Sequence, residues 1–150
     1  MREFLAEVAT NRILLAAVLP WLLAQIIKVP LNYLLHREWD WGLLLSTGGM
    51  PSSHSALVTG LAMGIGLREG FNSTPFALAA VFAMIVIYDA TGVRRHAGDH
   101  ARVLNLMIDE LLTGHPLAEK ELKEVLGHTP REVIGGIALG IGMALLILRL

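Results

Sequence analysis

The stretch from Gly48 to Ser55, Gly-Gly-Met-Pro-Ser-Ser-His-Ser, places one histidine and three hydroxyl groups where an apolar segment begins. The first N–H groups of a helix have no partner within the helix, and the helix macrodipole is positive there. Ser52, Ser53 and the amides after them can therefore hold a phosphate oxygen, with His54 within reach. The competing interpretation is structural: Pro51 and the serines cap the helix, and His54 packs locally.

A second histidine, His128, stands before another apolar segment and is followed four residues later by Glu132. A carboxylate at this spacing can fix the tautomer of an imidazole and stabilise its charged form. Thr129 and Glu132 also match a capping box, with Pro130 at the first helical position. At the level of sequence, both interpretations of Glu132 remain open.

Cationic side chains accompany these polar groups. Lys28 lies near the end of the first apolar segment, and Arg94 and Arg95 follow the third, which carries Asp89 near its end. An arginine can bind a phosphate group through two parallel hydrogen bonds. Lys28 has a simpler interpretation as well, because lysines near the end of a membrane helix commonly extend to the lipid headgroups.

These residue types suit the hydrolysis of a phosphate ester. One histidine can attack phosphorus while the other protonates the leaving oxygen, which divides the reaction into two steps through a phosphohistidine. This mechanism uses no metal ion and no other cofactor. A second cluster, His96 and His100 with Asp99 between them, has a spacing that could hold a metal. We expect these side chains to be solvated or, for His96, to flank the substrate headgroup.

The composition indicates a membrane protein. Of the 150 residues, 54% are hydrophobic and 17% are charged, and the mean hydropathy is +0.58. The net charge of −1 and the lack of any lysine- or arginine-rich run argue against nucleic acid as a partner. Because the chain contains no cysteine, neither disulfides nor thiolate chemistry is available to it.

Four apolar segments predict an all-α integral membrane bundle of about four transmembrane helices, forming a single domain over residues 1–150. The segments cover approximately residues 13–35, 53–67, 76–91 and 133–148. The second is short for a span. The second and fourth segments contain glycines whose spacing predicts close helix approach: Gly60, Gly64, Gly66, Gly135, Gly136, Gly140 and Gly142.

Residues 96–127 differ from the rest of the chain, because they are polar, charged and periodic. Apolar residues fall on one helical face in 101–112 and again in 118–126. We expect two amphipathic helices that lie on the membrane surface or cover a site. In the connector between the first two segments, Trp39 and Trp41 suit the membrane interface.

If the four segments alternate in direction, the polar helix ends described above meet on one side of the membrane. Ionisable groups at membrane depth are costly, so their gathering at one interface indicates a functional site. The lysines and arginines divide eight to four in favour of the site side, which favours a cytoplasmic site. Without Lys28, Arg94 and Arg95 the division is five to four, which decides nothing.

Two stretches resemble the type 2 phosphatidic acid phosphatase family, the integral-membrane lipid phosphatases related to vanadium haloperoxidases, and in particular its small divergent branch. The family's central motif, proline-serine-glycine-histidine, is similar to residues 51–54, with Ser53 in place of glycine. Its third motif, histidine, three residues, aspartate and valine before a glycine-bearing helix, is similar to residues 128–133. The resemblance implies His128 as nucleophile, Glu132 as its orienting carboxylate and His54 as general acid.

The chain departs from the family pattern in several ways. Glu132 replaces the usual aspartate, and no arginine-proline pair follows Lys28. The family's arginine stands a few residues before the nucleophilic histidine, whereas residues 96–127 separate Arg95 from His128, which an insertion would explain. His100 has the family's spacing from Arg94, yet residue 104 is not acidic, so His128 is the better candidate.

The sequence therefore predicts a bacterial-type inner or plasma membrane phosphatase that acts on a lipid such as phosphatidate, phosphatidylglycerophosphate or a prenyl phosphate. The alternative is a non-catalytic carrier or binding protein that kept the anion site and lost the chemistry. The glycine-lined faces also permit a homo-oligomer.

Overall fold

A computed structural model describes residues 1–46, 48–92, 100, 103–108 and 128–149. In this part of the chain the structure is helical and contains no strand. Five α-helices and one short 3-10 helix have both ends within the described residues: α1 (Arg2–Thr10), α2 (Arg12–His36), the 3-10 helix (Trp41–Leu44), α3 (Ser53–Glu69), α4 (Thr74–Thr91) and α5 (Pro130–Arg149). The predicted helical bundle is confirmed, with helix bounds within three residues of the predicted segments.

The chain begins with a separate short helix, α1, that lies before the first predicted apolar segment and was not predicted. Asn11 ends α1 and caps α2, because its side-chain oxygen accepts hydrogen bonds from the N–H groups of Ile13 and Leu14, each at 3.1 Å. No residue of α1 is buried. The helix therefore lies outside the bundle.

Within the described ranges, three helices are long and apolar enough to cross a membrane: α2, α4 and α5. The remaining predicted span, the second apolar segment, forms α3. It has 17 residues, or about 26 Å of helix at 1.5 Å per residue. It packs against all three of the others and buries eight of its residues. The shortest of these helices is thus the centre of the bundle.

Glycines permit α3 to approach its neighbours closely. A Cβ atom on Gly136 would collide with the carbonyl oxygen of Ser52, and one on Gly140 would collide with Thr59. On the other side of α3, a Cβ on Gly60 would meet the carbonyl oxygen of Ala16 in α2. These glycines let helix backbones touch, as the sequence predicts.

The glycine prediction was wrong at three positions. A Cβ on Gly135 would meet Met50 and Pro51 of the connector, and the space beside Gly66 is filled by the ring of Phe71, in the turn after α3. No described residue lies within 4 Å of a Cβ built on Gly142. Spacing alone does not say which glycines of a helix face a neighbour.

The structure describes some of the residues that were predicted to lie at the membrane interface. Trp39 stacks on Tyr33 at 4.5 Å and on Trp41 at 5.9 Å between ring centroids, and both tryptophans are exposed, as suits an interfacial anchor. Residues 103–108 are helical, and their large apolar side chains are exposed. The rest of the two predicted amphipathic helices, including all of 118–126, lies outside the described residues.

Candidate active site at the starts of α3 and α5

Main-chain hydrogen bonds join three helix ends that are far apart in sequence. The N–H of Ser52, just before α3, donates to the carbonyl oxygen of Glu132 in the first turn of α5, at 2.9 Å. The N–H of His128 donates to the carbonyl oxygen of Ala90 near the end of α4, also at 2.9 Å. The polar ends of α3, α4 and α5 therefore meet at one end of the bundle.

His128 is held by the carboxylate one turn ahead of it. Its side chain is only 3% exposed, and Nδ1 lies 2.9 Å from Oε2 of Glu132. Because an ionised carboxylate only accepts hydrogen bonds, we assign the proton to Nδ1. The other ring nitrogen, Nε2, is buried and has no hydrogen-bond partner among the described residues. In the neutral ring Nε2 then carries the free lone pair, as a nucleophile requires.

The same carboxylate oxygen also closes the capping box. Oε2 of Glu132 accepts a hydrogen bond from the N–H of Thr129 at 3.1 Å, and α5 begins at Pro130. The two interpretations of Glu132 are therefore compatible. Capping fixes the carboxylate relative to the helix, and the carboxylate fixes the ring of His128.

The serines at the start of α3 have different surroundings. Ser52 is the N-cap: its Oγ accepts from the N–H of Ser55 at 3.4 Å and from the hydroxyl of Ser55 at 3.0 Å. Ser53 is equally buried, but its Oγ has no partner among the described residues. His54 is half-buried in the next position. Ser53 is thus the hydroxyl at this helix start that is free to bind an added group.

Lys28 does not extend to the headgroups. Its side chain is 1% exposed, and Nζ donates to the carbonyl oxygen of Ser46 in the connector at 2.9 Å. A Cβ atom on Gly49 would lie 3.7 Å from Cδ of Lys28, so the lysine stem runs under the stretch that leads to α3. The snorkelling interpretation was wrong, because the connector folds back over this side chain and covers it.

A cavity of about 200 Å³ opens beside these helix ends, between the end of α2 and the start of α5. Its charged lining residues are Lys28, Glu132 and Arg131, and its apolar lining residues include Leu35 and Met50. The remaining lining residues are Asn32, His36, Leu43, Gly49 and Thr129. The lining therefore combines two cationic side chains, Lys28 and Arg131, with apolar side chains and the carboxylate of Glu132.

Three polar residues of this cavity were not singled out from the sequence: Asn32, His36 and Arg131. A signal was available for two of them. Asn32 and His36 follow Lys28 at intervals of four residues, so all three lie on one face of α2. Arg131 carried no comparable signal, since it is one of several charged residues near a helix start.

Several predicted site residues lie outside the described part of the chain: Arg94, Arg95, His96 and Asp99. Asp89 is half-buried, next to the carbonyl of Ala90 that accepts from His128. His100 is exposed. Among the described residues, no group of three or more histidine, aspartate or glutamate side chains is arranged to hold a metal ion.

Comparison with known proteins agrees with this architecture. Residues 9–143 match the model of a family described as the "Divergent PAP2 family". A protein of Bacillus subtilis (strain 168), named "Uncharacterized membrane protein YuiD", is 48% identical over 152 residues, which cover 94% of this chain and 96% of that protein. No solved structure matches the chain. With three helices able to cross a bilayer, these findings identify an integral membrane protein.

Proposed function

Because the chain belongs to the Divergent PAP2 family, we propose that it is a membrane phosphatase that hydrolyses a phosphomonoester or diphosphate carried by a lipid. The observation that carries this proposal is the buried imidazole of His128, with Nδ1 bound by Glu132 and Nε2 without a partner among the described residues. An oriented ring with one available nitrogen is the arrangement that nucleophilic catalysis needs.

The cavity supports a lipid as the substrate. A phosphate can contact Lys28 and Arg131, while the first atoms of a hydrocarbon tail contact Leu35 and Met50. The end of α2 and the start of α5 both border this cavity, so an amphiphile would reach it sideways from the bilayer. Ser53, His54 and His128 do not line this cavity, so the proposal requires the phosphate to extend from the cavity toward the start of α3. There the unpartnered hydroxyl of Ser53 and the positive end of α3 would add donors for the phosphate oxygens.

The proposed reaction has two steps, the formation of a phosphohistidine and its hydrolysis. Nε2 of His128 attacks phosphorus, the bond from phosphorus to the lipid oxygen breaks, and His54 donates its proton to that oxygen. Water then attacks the phosphohistidine, His54 takes a proton from the water, and the bond from phosphorus to Nε2 breaks to release phosphate. Glu132 holds Nδ1–H throughout and stabilises the positive charge on the ring. Arg94 and Arg95 would complete the phosphate contacts.

The decisive experiment measures phosphate release by purified protein from phosphatidate, phosphatidylglycerophosphate, and prenyl phosphate and diphosphate. We expect at least one of these lipids to be hydrolysed, and vanadate to inhibit by mimicking the trigonal-bipyramidal transition state. His128→Asn should abolish release, and His54→Ala should lower it roughly 10²- to 10⁴-fold. Full turnover by His128→Asn would end the nucleophile assignment.

His100→Asn serves as the matched histidine variant. It should retain activity, because His100 is exposed and no acidic residue follows it by four positions. Loss of activity in this variant alone would transfer the nucleophile to His100. If the unaltered chain binds the lipids and releases no phosphate from any of them, it is a binding protein and not an enzyme.

A further inference from the structure

At the end of the bundle away from the candidate active site, two arginines line one hollow. The hollow has a volume of about 310 Å³, and its walls are Thr10, Asn11, Arg12, Ile13 and Arg68. Arg12 is the first residue of α2, and Arg68 lies in the last turn of α3. Two cationic side chains that are 56 positions apart in sequence are therefore brought together by the fold.

Among the described residues, no acidic side chain lines this hollow and neither arginine forms an ion pair. Two like charges that share a hollow repel one another, and the repulsion is stronger near a membrane than in bulk water. Both side chains are exposed, so an anion can reach the two guanidinium groups and offset their repulsion. Phosphate suits them best, because each guanidinium can bind it through two parallel hydrogen bonds.

The helix start itself contributes little to this hollow. Asn11 already accepts from the N–H groups of Ile13 and Leu14, and its carbonyl accepts from Leu15. The hydroxyl of Thr10 donates within α1. The guanidinium groups are thus the cationic donors of this hollow, beside the neutral Nδ2 group of Asn11.

The surroundings indicate that the anion belongs to a lipid. The 25 residues of α2 span about 37 Å at 1.5 Å per residue, more than the roughly 30 Å hydrocarbon core of a bilayer. Arg12 therefore lies at the headgroup level of the leaflet opposite to the candidate active site. Next to it, α1 exposes Phe4, Leu5 and Val8, an apolar stripe typical of a helix lying in the membrane interface.

We propose that Arg12 and Arg68 form a binding site for the phosphate of an anionic phospholipid in the leaflet opposite to the catalytic site. This site is separate from the proposed phosphatase activity and does not depend on it. Its lipid is a bound structural partner and not a substrate.

The test uses the purified full-length protein in detergent and phosphatidylglycerol as the probe. Thermal unfolding is followed against lipid concentration for the unaltered chain and for Arg12→Gln/Arg68→Gln. We expect phosphatidylglycerol to raise the Tm, and the double variant to need about tenfold more lipid for half of the maximal shift. Arg149→Gln is the control, since Arg149 is also exposed at this end and does not line the hollow.

Two further arms distinguish the outcomes. Zwitterionic phosphatidylcholine and inorganic phosphate should give no comparable shift; an equal shift with inorganic phosphate would overturn the lipid assignment. Arg12→Lys/Arg68→Lys keeps the charge and loses the paired hydrogen bonds, so its affinity should fall between those of the other two chains. If the glutamine double variant does not fold, the single variants decide, with about threefold weaker binding expected in each. An unchanged response in either the double variant or both singles overturns the proposal.

Discussion

The main-chain N–H of Ser52 donates to the carbonyl oxygen of Glu132 at 2.9 Å, so the residue that caps α3 is bonded to the residue whose carboxylate holds His128. One turn further along α5, Gly136 has no side chain, so the backbone of α5 can contact the backbone of Ser52 there. The two helix starts are therefore fixed against each other by a hydrogen bond and by direct backbone contact. The geometry of the candidate site depends on this contact.

The first prediction concerns Gly136. A Cβ here would collide with the carbonyl oxygen of Ser52 and come within 3.0 Å of Cβ of Ser55, so Gly136→Ala must separate α5 from α3. We expect a loss of about 1–3 kcal/mol in the free energy of unfolding, measured as a lower Tm in detergent. Phosphate release should fall as well, because the separation moves His128 relative to Ser53.

Gly142→Ala is the control on the same helix. No residue in the described part of the chain lies within 4 Å of the added methyl group, and alanine favours a helix over glycine by about 0.5–1 kcal/mol. This variant should be as stable as the unaltered chain or slightly more so. Equal destabilisation by Gly136→Ala and Gly142→Ala would contradict the described packing of α5 on α3.

The second prediction separates the two roles of Glu132. In Glu132→Gln the side-chain oxygen can still accept from Thr129, so the cap survives, but the negative charge that stabilises a charged His128 is lost. We expect stability to change by less than about 1 kcal/mol and kcat to fall roughly 10²- to 10⁴-fold, as when the acid of a catalytic triad is neutralised. Steady-state kinetics and thermal unfolding measure the two effects. Glu69→Gln, at the far end of α3, should change neither; a fully active Glu132→Gln would remove the carboxylate from the mechanism.

Much of the fold could be predicted from sequence, because long apolar runs between caps determine helices directly. The start of α2 was predicted to within one residue, because the polar residues Thr10, Asn11 and Arg12 precede the apolar run. The short helix α1 before them was not predicted. The roles of individual glycines were only partly predictable. Gly140 and Gly142 look alike in sequence, yet one contacts α3 and the other contacts nothing, because the rotation of a helix depends on tertiary packing.

In the candidate site, too, the contacts between residues near in sequence were predictable and those between distant residues were not. The spacing of His128 and Glu132 within one helical turn predicts the observed contact, because it is local. The position of the Lys28 side chain was not predictable from sequence. Its Nζ donates to the carbonyl oxygen of Ser46, which lies 18 residues later in the connector. Arg131 lines the cavity through the meeting of α2 and α5, which no local pattern encodes.

The third prediction is that α3 crosses the bilayer although it has only 17 residues. The residues at its two ends should then be on opposite sides of the membrane. Because the chain has no cysteine, Arg37→Cys, just after the end of α2 on the side where α3 begins, and Glu69→Cys at the end of α3 provide single labels at exposed positions. In intact bacterial cells, a membrane-impermeant maleimide should label only Glu69→Cys if the site is cytoplasmic. Permeabilised cells are the control and should label both, and labelling of both variants in intact cells would contradict a spanning α3.

The fourth prediction contrasts the adjacent serines at the start of α3. Ser52→Ala removes the acceptor of two hydrogen bonds from Ser55, so it should lower the free energy of unfolding by about 1 kcal/mol. Ser53→Ala removes a buried hydroxyl that has no partner among the described residues, so it should leave the Tm unchanged or raise it slightly. If Ser53 binds the substrate phosphate, the same change should lower kcat/KM roughly 10- to 100-fold, the loss expected for one hydrogen bond to a charged group. A Ser53→Ala variant with full activity would leave the phosphate to the helix amides and the cationic side chains, and would contradict a role for this hydroxyl in binding.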